Sequence, residues 1–563
     1  MPVSTLVRPP GAARRRLARS LPLVVAAGLA ACNLEQSETQ SDAAPAKPQA
    51  DATAPAAPLI ESMPRAEAPA RTAVAGGIAG MAPPPMPQPT DDRFTDAEQN
   101  PVKLVAEEPV STFSADVDTA SYAVVRRFLR EGRLPPAGAV RVEEMINYFP
   151  YALEGPRDPG RPFSTRIGVM PTPWNADSRL MTVTIKAMDL DQGGRPPLNL
   201  VLLVDVSGSM QGRDRLPLLK SAFADFARDL KPEDRISIVA YAGGVDVVLP
   251  PTKGSDQSHI QAAIEGLQAG GSTNGAGGLD RAYRLARENF AEHAVNRIIL
   301  ATDGDFNIGQ SNPKALEGYI AEQRKSGVYL SILGVGLDNL NDNLMQKLAQ
   351  AGNGNAAYVD TAVEGRKVLH DEAASTLVPV ADDVKFQVEF NPAKIAEYRL
   401  IGYETRGLRR QDFNDDKVDA GDVGSGQTVT AIYEVTPVGA KPSVDPLRYG
   451  SPVPELDDRA GGSHGDEIAF LRIRYKLPGE SRSRLIERPV TTADAVADLK
   501  DATADQRFAV AVAAYGQKLA GVGFVAGLSW PAIAELAQGA RGEDAEGYRA
   551  EFVQLVRAAD ALD

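Results

Sequence analysis

The chain has 563 residues and a formal net charge of −14, with 43% hydrophobic and 24% charged residues. That length exceeds one ordinary core, so two or three domains are expected, with the composition of a globular protein. The acidic balance argues against a general nucleic-acid binder, whose phosphate contacts need clustered lysines and arginines.

The first element is a leader. Arg14, Arg15, Arg16 and Arg19 precede an apolar run from Leu21 to Ala31, which has the length of a signal peptide and is too short to span a bilayer. It ends in Leu29-Ala30-Ala31-Cys32, and because Cys32 is the sole cysteine no intramolecular disulfide is possible. This ending resembles the lipobox of bacterial lipoproteins. The resemblance implies cleavage before Cys32, acyl chains such as palmitate on its thiol, and a membrane anchor. Asn33 in place of Asp implies, by the rule for such lipoproteins, the outer membrane of the cell envelope. A signal peptide is therefore expected over 1–31 and a tether over 32–92. The tether is rich in Ala and Pro, as in Met81-Ala82-Pro83-Pro84-Pro85-Met86-Pro87, and buries too little apolar surface to offset its ordering entropy.

Residues 93–195 form the next expected region. Val124, Val125, Phe128 and Leu129 follow helical spacing, with Thr119 or Ser121 as the cap. A second helix is expected from Val142 to Phe149. Met181, Val183 and Ile185 then alternate with Thr182, Thr184 and Lys186, which gives a strand with one apolar face.

The pattern changes over 196–375. Leu200-Val201-Leu202-Leu203-Val204 is apolar on both faces, as in a parallel strand covered by helices. Helical spacing over Leu216, Leu219, Phe223, Phe226 and Leu230 leads to a strand at Ile236-Ser237-Ile238-Val239. Helices near 258–268 and 275–290 precede Ile298-Ile299-Leu300, and a helix near 313–326 precedes Tyr329-Leu330-Ser331-Ile332-Leu333. Strand and helix alternate, so the fold class is α/β, a doubly wound, mostly parallel sheet. Over 376–563 the period returns to two at Val384, Phe386, Val388 and Phe390, again at Val429 to Val435 and Ile468 to Tyr475. Helices near 503–520 and 544–562 close the chain. Strands before and after the α/β domain predict one β sandwich into which that domain is inserted, with the strand at Met181 sharing a sheet with those at Phe386 or Phe470. Trp530 and Phe524 are expected in the core.

Five oxygen-bearing residues stand out. Asp205, Ser207 and Ser209 directly follow the first doubly apolar strand, and Asp303 follows the strand at Ile298. Thr273 lies in the Gly-rich loop between them. In open α/β sheets ligands gather beyond the carboxyl ends of strands, so the three segments can converge. Hydroxyls with carboxylates suit a hard divalent cation, Mg2+ first, with Mn2+ and Ca2+ as alternatives. Three hydroxyl ligands leave it under-neutralised, able to take a carboxylate from a partner.

Asp205-Val206-Ser207-Gly208-Ser209, then Thr273, then Thr302-Asp303-Gly304 is similar to the metal-ion-dependent adhesion site of von Willebrand factor type A domains, which integrin inserted domains share. The resemblance implies direct coordination by Ser207, Ser209 and Thr273, with Asp205 and Asp303 acting directly or through water and an acidic side chain of a protein partner completing the sphere. The wider chain resembles bacterial lipoproteins with a von Willebrand factor-like N-terminal region, here Ser111-Thr112-Phe113-Ser114-Ala115-Asp116-Val117-Asp118-Thr119. Their uncharacterised C-terminal domain corresponds here to Phe413-Asn414-Asp415-Asp416-Lys417-Val418-Asp419-Ala420-Gly421.

Other chemistry is poorly supported. Asp305 and Asn307 could shape selectivity beside the ion or satisfy their loop, and Ile308 and Lys314 break a calcium-loop template there. Residues Asp412 to Asp422 fail the same template and read as a polar hairpin loop. His259, His293, His370 and His464 form no zinc-binding pair, and no nucleophile elbow or phosphate-binding loop is present. The expectation is a non-enzymatic envelope lipoprotein that binds a protein partner through a metal. Its alternatives are a structural protein whose metal site is closed by its own flanking domain, and an unrecognised hydrolase.

Overall fold

The computed structural model describes residues 92–94, 98–115, 118–158, 160–190, 195–304, 312–336, 340–372, 377–418, 420–445 and 465–563. The expected leader with Cys32, the expected tether as far as residue 91, Asp305, Asn307 and Asp419 lie outside them.

Leu198–Asp205 is buried along its whole length. Leu200, Leu202 and Val204 enter one apolar cluster with Phe223, while Val201 and Leu203 enter another with Tyr283, so each face of the strand meets its own helical layer. The six-stranded sheet runs Ala356–Val359, Tyr329–Val335, Val295–Thr302, Leu198–Asp205, Arg235–Tyr241, Val245–Lys253. Every neighbouring pair is parallel except the last. The doubly wound α/β fold is as expected. Among the described elements, four escape the periodicity: the edge strand Val245–Lys253, which contains Pro250 and Pro251, the helix Asp342–Ala351, the four-residue strand Ala356–Val359 and the short helix Ala362–Arg366.

The β regions on either side of this domain form two sheets. One runs Lys103–Leu104, Ile395–Ile401, Thr428–Pro437, Arg179–Ala187, Phe163–Pro171. The other runs Gly421–Gly424, Pro379–Phe390, Glu467–Lys476, Arg484–Thr491, with Val110–Ser114 also paired to Pro379–Phe390. The pairing expected for Met181 is not made: its strand bonds to Thr428–Pro437 and lies in the sheet opposite Phe386 and Phe470. Period two shows which face is buried and leaves the partner undetermined. The sandwich itself is present, because both sheets contain strands from before and after the α/β domain and share one apolar interior. Phe113 joins the halves, stacking on Phe386 at 5.0 Å and meeting Tyr403 at 4.8 Å between ring centroids.

Asp412 to Asp422 is not a hairpin, since it links Ile395–Ile401 in one sheet to Gly421–Gly424 in the other. Within it Asp416 accepts from Arg474 at 3.0 Å and Asp412 from Arg409 at 3.0 Å, the work of a tied-down polar connection. Three closing helices, Ala504–Leu519, Trp530–Gly539 and Tyr548–Leu562, pack on Val142–Asn147 in an aromatic cluster of Tyr148, Phe149, Phe508 and Phe552. Trp530 belongs to that core. Phe524 does not: it is 40% exposed, with Arg399 lying 4.1 Å over its ring.

The helix Ala120–Arg130 begins after Thr119, whose side chain makes no capping bond. Glu144 from the next helix instead accepts from the Ser121 amide at 2.9 Å, and the Ser121 hydroxyl donates to the Ala139 carbonyl at 2.7 Å. An orphan helix donor is satisfied equally well by a carboxylate from outside the helix. From this helix Arg126 reaches Asp360 and Glu364 of the α/β domain and Glu551 of the last helix, all three by hydrogen-bonded ion pairs. Arg127 pairs with Asp92, which also accepts from the Leu340 amide at 2.8 Å.

Removing one member of a buried ion network leaves the others charged and unpaired. Arg126→Met is expected to cost roughly 3–5 kcal/mol, read from the denaturant midpoint. Glu143 gives a pH test. Burial, then the charges of Glu404 and Glu144, push its carboxyl from 4.5 up to about 7, and its Oε2 is buried with no hydrogen-bond partner among the described residues. Between those values the folded chain holds a proton that the unfolded chain has lost, so stability falls as pH rises through this window and levels off above it. Glu143→Gln removes the fall: its melting temperature should exceed that of wild type at pH 8 and lose that advantage near pH 5.

Candidate metal centre

The strand order reverses between Leu198–Asp205 and Val295–Thr302, which are adjacent and parallel. A crevice opens at such a switch point, beyond the carboxyl ends of the two strands. Asp205 ends one of these strands and Asp303 directly follows the other, so topology alone brings the two carboxylates together.

Local bonds set the loop after Asp205. Its Oδ1 accepts from the Ser207 amide at 2.8 Å, which folds the chain back on the carboxylate. The Ser207 and Ser209 hydroxyls then lie 3.0 Å apart. Gly208 donates to the Gly271 carbonyl at 3.0 Å and Gly270 to the Val206 carbonyl at 2.7 Å, so the loop that leads into Thr273 is stitched to the serine loop. Gly271 takes φ +89, a left-handed conformation that glycine accepts without strain. Thr273 is half-buried, and Asn274 after it caps the helix Gly275–Glu288 through the Gly277 amide. Of the five predicted ligands, Asp205, Ser207 and Asp303 are buried at the crevice and Ser209 is exposed at its lip.

Thr302, part of the matched Thr302-Asp303-Gly304 motif, and Arg215, which the sequence reading missed, also make contacts at the crevice. Thr302 donates to Asp205 Oδ2 at 3.4 Å and accepts from the Gly304 amide at 3.3 Å. Arg215 donates to the Ser209 carbonyl at 2.6 Å and to Asp303 Oδ2 at 3.2 Å, a cation already laid across part of the site. Gly336 makes room for it: a Cβ there would lie 2.5 Å from the Arg215 Nε. Arg215 stands in Gln211-Gly212-Arg213-Asp214-Arg215, a polar run that gives no signal of which arginine turns inward.

Arg215 compensates the charge of Asp303 on one side only. Burial raises the Asp205 carboxyl above its ordinary value, hydrogen bonds from Ser207 oppose this, and the charge of Asp303 adds to it. Asp303 Oδ1 is buried and has no hydrogen-bond partner among the described residues. A lone buried carboxylate oxygen, two adjacent hydroxyls and a second carboxylate make a hard-oxygen donor set, and these residues fit a divalent cation.

Comparison with known proteins gives three family matches: a von Willebrand factor model over residues 88–182, a von Willebrand factor type A domain model over 200–305, and a model for the C-terminal part of the uncharacterized protein YfbK over 375–562. The chain is 47% identical to the uncharacterized protein YfbK of Escherichia coli over 477 residues, covering 84% of this chain and 81% of that one. It is 30% identical to the uncharacterized protein sll0103 of Synechocystis over 33% of this chain and 43% of the relative. It is also 27% identical to human inter-alpha-trypsin inhibitor heavy chain H4, over 35% of this chain and 22% of the relative. A solved von Willebrand factor type A protein from Catenulispora acidiphila aligns over 73% of this chain and 91% of its own at TM-score 0.40 and 16% identity.

If the two carboxylates repel, neutralising one stabilises the metal-free protein. Asp205→Asn keeps an oxygen for the Ser207 amide and should melt above wild type in EDTA, by differential scanning calorimetry.

Proposed function

The chain belongs to the YfbK family of von Willebrand factor type A domain proteins, and from that premise we propose that it captures a protein partner through a divalent cation. Asp205, Ser207, Ser209, Thr273 and Asp303 would hold that cation, Mg2+ first. The observation that carries this reading is the unpartnered buried oxygen of Asp303 beside the paired hydroxyls of Ser207 and Ser209. When bound, the ion supplies an open position for a carboxylate oxygen, so the partner is a protein presenting an acidic side chain. Asp205, held by the Ser207 amide and by Thr302, fixes the serine loop, and Arg215 keeps Asp303 turned to the crevice.

We read the site as binding, without catalysis. A serine nucleophile needs an adjacent base, and the Ser207 hydroxyl pairs with that of Ser209. The lipobox-like ending at Cys32 supports anchorage by acyl chains in the outer membrane of the cell envelope.

The test is capture from detergent-solubilised membranes by the full chain, alongside calorimetric titration with Mg2+, Mn2+ and Ca2+. Mg2+ should bind, and both EDTA and Asp205→Ala should abolish capture while the melting temperature in EDTA is kept. Capture unchanged in EDTA would overturn the proposal. A metal-dependent rise in melting temperature with no protein captured would assign the ion to a site closed within the chain.

A further inference from the structure

At the other end of the strand that leads to Asp303 lies a second polar cavity. Arg297 is six positions before Asp303, about 20 Å at roughly 3.3 Å per residue. It lines a cavity of about 560 Å3 between the helices Pro313–Arg324 and Asp342–Ala351 and the strand Gly421–Gly424. Arg297 is 3% exposed. Its Nη1 donates to the Ser331 hydroxyl at 2.7 Å and its guanidinium lies 5.6 Å from the Tyr329 ring. Its Nε is buried, and among the described residues that atom has no hydrogen-bond partner and no carboxylate forms an ion pair with Arg297. Buried guanidinium groups are ordinarily paired, because an uncompensated charge in a low dielectric is costly. Burial pulls Arg297 down to about 10, with the charge of Asp422 opposing, so it stays charged at neutral pH.

The remaining lining strengthens the field. Lys314, Arg324 and Lys347 join Arg297 against the carboxylates of Glu317 and Asp422. Asp422 is already engaged by the Asp383 amide at 3.2 Å and by Asn353 at 3.2 Å, so it serves the wall. Lys314 and Lys347 are exposed at the mouth. In a chain of net charge −14 this is a cationic cavity with a buried arginine among its lining groups. Its volume is that of a small-molecule site, and a guanidinium matches the paired oxygens of a carboxylate or phosphate.

We propose that this cavity binds a small oxyanion-bearing molecule with two anionic groups, one seated on Arg297 and the other met by Lys314 and Lys347. The site is separate from the Asp205 crevice and independent of any metal. The test uses the full chain in EDTA, titrated with sodium pyrophosphate or sodium citrate against sodium chloride of equal ionic strength, read by melting temperature and calorimetry. Saturable binding and a rise in melting temperature are expected with at least one probe, and Asp205→Ala should retain both. Binding of pyrophosphate alone assigns a phosphate ligand, and of citrate alone a carboxylate. Lys347→Glu and Lys314→Glu, exposed changes that leave the core intact, should each weaken binding about tenfold, and Arg297→Gln should abolish it. No response beyond chloride with either probe, or unchanged titrations in both lysine variants, would overturn the assignment.

Discussion

The architecture depends on antiparallel pairing between segments more than two hundred residues apart. Arg179–Ala187, before the α/β domain, bonds along its length to Thr428–Pro437, after it, and Val110–Ser114 bonds to Pro379–Phe390. Neither half of the sandwich can bury its apolar face without the other. The α/β domain is thereby held at both ends, since the chain leaves the sandwich at Ala187 and returns at Pro379. Such non-local pairings carry a loop-closure cost that only the completed sandwich recovers. Phe113 is where that recovery concentrates, with aromatic neighbours from three later strands or loops around it.

Charge finishes what the strands begin. Arg126, Arg127 and Arg141 all reach across into the α/β domain or its approaches, to Asp360 and Glu364, to Asp92, and to Asp342. Buried ion pairs add little net stability compared with apolar packing, yet they tolerate no misplacement, and so they fix orientation. The inserted domain is therefore seated in one way on the helical layer. The Asp205 crevice runs against this pattern. There two carboxylates are buried near one another, one oxygen lacks a partner, and Arg215 neutralises only one side. Among the described residues Asp303 Oδ1 is one of several buried charged-group atoms without a hydrogen-bond partner, Glu143 Oε2 and Arg297 Nε among them, and it is the one that lies at the switch point of the parallel sheet.

Much of this was legible in sequence because the signals are local. Doubly apolar strands such as Leu200 to Val204 announce a helix-covered sheet, and Asp205 and Asp303, placed directly after such strands, need only the topology to come near one another. What was illegible is what depends on contacts between distant segments. Period two in Met181, Val183 and Ile185 identifies a buried face and is silent on which strand lies beside it. The Ser121 amide is capped by Glu144, a residue that only tertiary structure could bring there. Arg215 and Arg297 look like ordinary surface and strand positions, and their meaning lies in which buried oxygen each meets or fails to meet. Phe524 shows the reverse error: a large ring read as core is covered by a guanidinium at the surface.

Asp92 carries a mechanical implication. Its carboxylate is gripped by Arg127 and by the Leu340 amide, and Arg93 bridges to Asn341, before the chain has entered either sheet. Tension applied upstream would be taken first by this clamp, which grips both the helix Ala120–Arg130 and the inserted domain, ahead of the strands of the sandwich. A force applied to the chain ahead of Asp92 would therefore load these contacts with the α/β domain before it reached the flanking sheets.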